Sequence, residues 1–177
     1  MEMGLRIKAL ERAAKVHEGQ PYGDLPYIVH VSEVAMVVAA IGGTDEEVAA
    51  AFLHDSVEDT DLTIEEIAAE FGAGVAHMVD GLTHPTGYTY ERYMTEMPPV
   101  SQPIKFADSL RNLIRTMALS EDHPKREKWL FKYARNVVAL IDVLAEESRW
   151  AHGIAMIYAF DPEVHAAIDY ATQATRS

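Results

Sequence analysis

The chain has 177 residues, 49% of them hydrophobic and 24% charged, which suits one ordinary globular domain and excludes a disordered chain. It holds no cysteine, so disulfides and thiolate metal sites are excluded, and any metal must sit on His, Asp, Glu or another oxygen donor. A net charge of −13, from 15 basic and 28 acidic residues, speaks against general nucleic-acid binding, and no run reaches the roughly 18 apolar residues of a membrane span.

The N-terminus lacks the apolar core of a signal peptide, and the expected location is the cytoplasm. Residues 3–17 form the first expected helix, with Leu5, Ala9, Leu10, Ala13 and Ala14 on one face. Gly19, Pro21, Gly23 and Pro26 then break the chain into a loop. A helix restarts over 30–41, placing His30 at its beginning, and Gly42 and Gly43 end it. Thr44 followed by Glu47 is a capping box that opens a helix running to about Glu58. Thr63 and Glu66 repeat the device ahead of a short helix that stops at Phe71. Further helices are expected over 73–82, 88–97, 101–119, 125–150 and 161–173. In the 125–150 segment Trp129, Tyr133, Val137, Leu140, Ile141 and Leu144 make a stripe at helical spacing, read as core packing. Period-two alternation is nearly absent, so the expected class is all-α.

Charge is unevenly spread. No Lys or Arg lies between Lys15 and Arg92, whereas residues 101–135 carry eight basic and four acidic side chains. One half is thus suited to a cation, and a later stretch to an anion. Three groups of residues carry chemistry. The run from Leu53 to Thr60 contains His54, Asp55, Glu58 and Asp59. On a helix His54 and Glu58 are one turn apart, as are Asp55 and Asp59. Carboxylates gathered beside a histidine repel one another, and a bound cation removes that cost. Asp108 and Asn112 form a second i, i+4 pair, and His30 stands alone as a third element.

The order His30, His54-Asp55, Asp108 resembles the signature of the HD superfamily. The surrounding words narrow the likeness. His17-Glu18-Gly19-Gln20, Pro26-Tyr27-Ile28 before His30, Val79-Asp80-Gly81-Leu82-Thr83, and the stretch from Lys105 to Asn112 look like the hydrolase domain of RelA/SpoT proteins and the small stand-alone alarmone hydrolases. The likeness covers about residues 5–150, and it implies a single HD-type helical bundle over the whole chain, with 151–177 as a helical extension. It further implies one divalent cation, manganese in that family, on His30, His54, Asp55 and Asp108. Imidazole and carboxylate donors suit Mn²⁺, and iron and zinc suit them too. Glu58 and Asp59 match the residues that deprotonate and position the attacking water. Asn112 matches a residue near the ribose. The implied reaction removes the 3′-pyrophosphate from guanosine tetra- or pentaphosphate through a metal-activated water.

Lys105, Arg111 and Arg115 are candidates to neutralise phosphate, and Tyr22 to stack on a base. The sequence departs from the family in three places. The loop Gln20-Pro21-Tyr22-Gly23-Asp24-Leu25 lacks the family's Arg-Lys pair, Val31 replaces a proline, and Arg115 falls one position late. The missing pair keeps a phosphatase for another nucleotide, NADPH or a deoxynucleotide, as the alternative. A catalytically silent metal- or nucleotide-binding module is the reading from a different class. The expected partner is a small phosphorylated nucleotide, with neither nucleic acid nor membrane involved.

Overall fold

The structure is a computed structural model and describes residues 4–175. Its internal contacts cluster into two compact units, residues up to 39 together with 43–104, and residues 40–42 together with those from 105 onward. Helices dominate both, as the composition and patterning require. Among the described residues no helix is long and apolar enough to cross a membrane.

The first unit opens with α1 (Leu5–Val16), whose Ala9 and Ala13 are fully buried. A short hairpin of β1 (Pro21–Tyr22) and β2 (Leu25–Pro26) follows, with Tyr22 opposite Leu25. The sequence reading has only a loop here. Two-residue strands leave no alternation to detect, and the turn depends on Gly23, whose φ of 65° an L side chain rarely adopts. Next comes α2 (Tyr27–Ala40). It begins three residues before the expected start at residue 30, directly after Pro26, so His30 lies one turn inside the helix rather than at its tip.

Thr44 caps α3 (Asp45–Leu53) with both bonds of the capping box, Glu47 N to Thr44 Oγ1 at 3.2 Å and Thr44 N to Glu47 Oε2 at 2.7 Å. The chain does not run as one helix to Glu58. It flattens at Asp55 (φ −100°, ψ −2°) before a single turn, α4 (Ser56–Asp59). At the end of α3 the His54 ring Nδ1–H donates to the Ala51 carbonyl at 2.9 Å, one of the last four carbonyls that a helix leaves without backbone partners. Thr63 and Glu66 form the second capping box, opening α5 (Ile64–Phe71), and α6 (Ala73–Leu82) keeps the bounds read from sequence. The unit ends with α7 (Tyr90–Glu96) and a 3₁₀ turn at Pro99–Ser101. α1 packs on α3, α3 on α6, and α5 on α6. Ala49, Ala50 and Ala51 are fully buried in α3, so few side-chain atoms separate it from the alanines of α1.

α8 (Gln102–Met117) leads into the second unit, where α9 (Arg126–Leu144), α10 (Ser148–Phe160) and α11 (Pro162–Ala174) follow. The expected helix over 125–150 is broken at residues 145–147. Trp150 therefore belongs to α10, where it is almost fully buried. The break lets α10 lay its backbone directly against residue 41: a Cβ on Gly153 would land on the Ile41 carbonyl group. The buried face of α9 is made by Leu130, Ala134, Val137, Leu140 and Leu144, while Trp129, Tyr133 and Ile141 of the expected stripe are half-buried. Asp161 caps α11 by accepting from the Glu163 and Val164 amides at 2.9 and 3.2 Å.

Candidate metal centre

α2 and the end of α3 bring His30, His54 and Asp55 together, and one donor atom from each lies within 4.8 Å of the others. The two histidines are 1% and 2% exposed, and the Asp55 side chain is 19% exposed. Both rings turn Nε2 toward the same carboxylate oxygen, Asp55 Oδ2, at 3.6 Å from His30 and 3.0 Å from His54. Because His54 Nδ1 donates to the Ala51 carbonyl, the tautomer is set and the Nε2 lone pair faces the carboxylate. Metal–ligand bonds of about 2.0–2.2 Å place neighbouring donors about 3–4 Å apart. Both imidazole nitrogens lie at this spacing from the carboxylate, and all three donors fall within 4.8 Å, so the cluster has donor chemistry and convergence suited to a divalent cation.

A second layer orients these donors. Tyr27, the first residue of α2, donates its hydroxyl to Asp55 Oδ2 at 2.5 Å. Burial, and then the neighbouring Asp55 charge, push the Tyr27 phenol far above the usual tyrosine range, so it stays a donor. Its ring stacks on buried His17 at 4.7 Å and meets His30 edge-on at 5.5 Å. Tyr22, from the hairpin, lies against His30 with ring centroids 4.6 Å apart. That contact is packing around the cluster; the ring is half-buried.

Glu58 and Asp59 occupy α4, immediately after His54 and Asp55, and both are exposed. Each carboxylate is held. Glu58 Oε1 accepts from the His84 main-chain amide at 2.6 Å, and Asp59 Oδ2 accepts from Gln20 Nε2 at 3.0 Å. Gln20 is itself fixed, its Oε1 accepting from His17 Nδ1 at 2.7 Å. His17 is thus tied to Gln20 by a hydrogen bond and to Tyr27 by ring stacking. Tyr27, Gln20 and His84 are the site residues that sequence reasoning left without a role. The first two lie in quoted family words. The third acts through a backbone N–H, which carries no signal in a sequence.

In the second unit Asp108 is buried on α8 between two neighbours of its own helix. Lys105 Nζ is 2.9 Å from its Oδ2, and Asn112 Nδ2 donates to its Oδ1 at 2.5 Å. The i, i+4 pair expected at 108 and 112 is therefore a direct hydrogen bond, and the Lys105 ammonium is paired with a carboxylate. Arg111 reaches Glu163 of α11, Nη1 to Oε2 at 3.9 Å, and Arg115 is half-buried in the last turn of α8.

Comparisons with known proteins agree on the family. The chain is 37% identical over 113 residues to a GTP pyrophosphokinase of Myxococcus xanthus, a match covering 63% of this chain and 14% of that protein. It is 40% identical over 119 residues to the guanosine-3′,5′-bis(diphosphate) 3′-pyrophosphohydrolase MESH1 of Danio rerio, covering 60% of this chain and 66% of that one. The chain spans 8–19% of the length of the long curated relatives it matches. A solved structure of a metazoan ortholog of SpoT, described as hydrolysing ppGpp, superposes with a TM-score of 0.70 at 22% identity, over 99% of this chain and 97% of that one, and so shares the fold. The family profile described as HD domain matches residues 9–123, well over half of the sequence. The chain belongs to the HD domain family.

Proposed function

We propose that this chain is a divalent-cation-dependent nucleotide phosphohydrolase that removes the 3′-pyrophosphate from guanosine tetra- or pentaphosphate. The observation that carries the reading is the His30, His54, Asp55 cluster with two held carboxylates, Glu58 and Asp59, on the turn that follows it. A site that only binds a cation has no need of the second pair, which argues against a silent module. The zebrafish relative is named for this reaction.

Mn²⁺ is the cation we assign, on imidazole and carboxylate donors and on the family likeness. From the order of the motif, Asp108 is the proposed fourth ligand. When bound, the cation lowers the pKa of a coordinated water by several units and polarises a phosphoryl oxygen. Glu58 accepts the proton of the attacking water, and Asp59 orients the pair. The water oxygen forms a new bond to phosphorus while the bond to the 3′-oxygen breaks, and that oxygen takes a proton from solvent. Asn112 is assigned to the ribose side of the nucleotide and Tyr22 to the base. Lys105, Arg111 and Arg115 are assigned to phosphate, where positive groups must offset the −13 charge of the chain. We assign the activity to the cytoplasm, as the reading of the sequence expects.

One observation bears on a second substrate. The hairpin that replaces the family's basic loop carries Asp24 and no Lys or Arg. A phosphatase acting on NADPH or a deoxynucleotide fits that loop equally well. Purified protein with Mn²⁺, offered a nucleotide panel with pyrophosphate and orthophosphate measured separately, decides between them. Pyrophosphate from ppGpp supports the first reading, orthophosphate from NADPH or a deoxynucleotide the second, and release from nothing refutes both.

A further inference from the structure

The loop after α6 touches the site through a main-chain group. His84 N–H points at Glu58 Oε1, 2.6 Å away and 26 residues distant in sequence. Glu58 is exposed on a single turn of helix, and exposed side chains exchange rotamers readily. The amide that holds it is, by contrast, fixed from both sides. Before it, Thr83 closes α6, its N–H bonding to the Val79 and Asp80 carbonyls and its Oγ1–H donating to the Val79 carbonyl at 3.0 Å. After it, the His84 ring packs on α7, 5.0 Å from the ring of buried Tyr93 and parallel to Tyr90 at 6.4 Å. Tyr93 in turn donates its hydroxyl to the Leu82 carbonyl at 2.5 Å. A rigid donor aimed at one oxygen leaves the second oxygen of the carboxylate to work.

We infer that His84 is a positioning residue, whose main-chain N–H fixes Glu58 in the rotamer from which it takes the proton of the attacking water. The imidazole is the packing that places that amide and takes no part in the chemistry. The inference rests on Glu58 being the general base. It also gives α7 and the loop before it a catalytic purpose that no ligand-bearing residue there supplies.

The test removes the N–H alone. His84→Pro does so genetically. An ester linkage at position 84, introduced with the α-hydroxy acid of histidine, does so while keeping ring and backbone shape, and it covers the case in which the proline variant does not fold. Losing a hydrogen bond to a charged group predicts a fall in kcat of about 10- to 100-fold. KM for ppGpp and the affinity for Mn²⁺ should not change. His84→Phe, which retains the N–H and an aromatic ring, should restore the wild-type kcat.

In a Glu58→Gln background the ester should cost nothing further, because its effect passes through Glu58. Three results overturn the inference: wild-type kcat in the ester variant, the same fold-loss with and without Glu58, or a His84→Phe loss as large as that of the ester. Glu58→Gln by itself reports on the base. If that variant keeps wild-type turnover, the base assignment fails, and the inference built on it fails with it.

Discussion

Tyr27→Phe isolates the layer that orients the proposed ligands. The substitution removes one oxygen and keeps the ring that packs on His17 and His30. What is lost is a short hydrogen bond, 2.5 Å, to the carboxylate oxygen on which both histidine Nε2 atoms converge. A bond to a charged acceptor is worth about 1.5–3 kcal/mol. Only the difference that this bond makes between the metal-bound and metal-free states reaches the binding constant. Losing a group that orients a metal ligand typically weakens affinity about 10- to 100-fold. Since Phe preserves the packing, the lower end applies: Kd for Mn²⁺ should rise about tenfold, or about 1.4 kcal/mol. Calorimetric titration of Mn²⁺ into metal-stripped wild type and variant measures it, with a thermal melt to confirm that the variant is folded. An unchanged Kd in a folded variant would refute the claim that Tyr27 orients Asp55.

Three further outcomes follow from the fold. Thr44→Ala deletes the side-chain half of a capping box and should cost about 1 kcal/mol in urea unfolding while leaving Mn²⁺ affinity intact; an unchanged midpoint would contradict the cap. Gly153→Ala pushes a methyl group into the Ile41 backbone and should cost about 1–3 kcal/mol, seen as a lower melting temperature; wild-type melting would mean that α10 does not approach residue 41 as described. Arg92 holds the exposed Glu96 carboxyl below its ordinary range, chiefly through a 2.8 Å hydrogen bond. The pair therefore contributes above the unfolded pKa of Glu96 and is lost as pH falls through the lower folded value. The Glu96 titration midpoint, read by NMR, should rise in Arg92→Ala.

Local signals proved readable where a side chain states its own purpose. Both Thr-x-x-Glu capping boxes and the bounds of α6 are plain in the residues, because each depends on neighbours within a turn. The break at residues 145–147 was not legible. It is favoured by α10 packing on a distant backbone at Ile41, which local propensity does not record. The flattening at Asp55 was hidden for a similar reason, since His54, Asp55, Glu58 and Asp59 fit helical spacing whether or not the helix runs through. At the site, the neighbouring His54 and Asp55 could be read from their own run, while the approach of His30, 24 residues earlier, was implied only by the family likeness. The hydroxyl of Tyr27 was in view within its family word, yet its target was not. The His84 amide had no signal at all, because every residue except proline offers the same group.

In the proposed function one cation on the His30, His54, Asp55 cluster carries the hydrolysis. Mn²⁺ titrated into metal-stripped protein with ppGpp, with pyrophosphate release followed, is the decisive assay. Activity should climb to a plateau at one equivalent of Mn²⁺ and be abolished, together with Mn²⁺ binding, in Asp55→Ala. Pyrophosphate release by metal-stripped protein in excess chelator, or by Asp55→Ala at the wild-type rate, would contradict it.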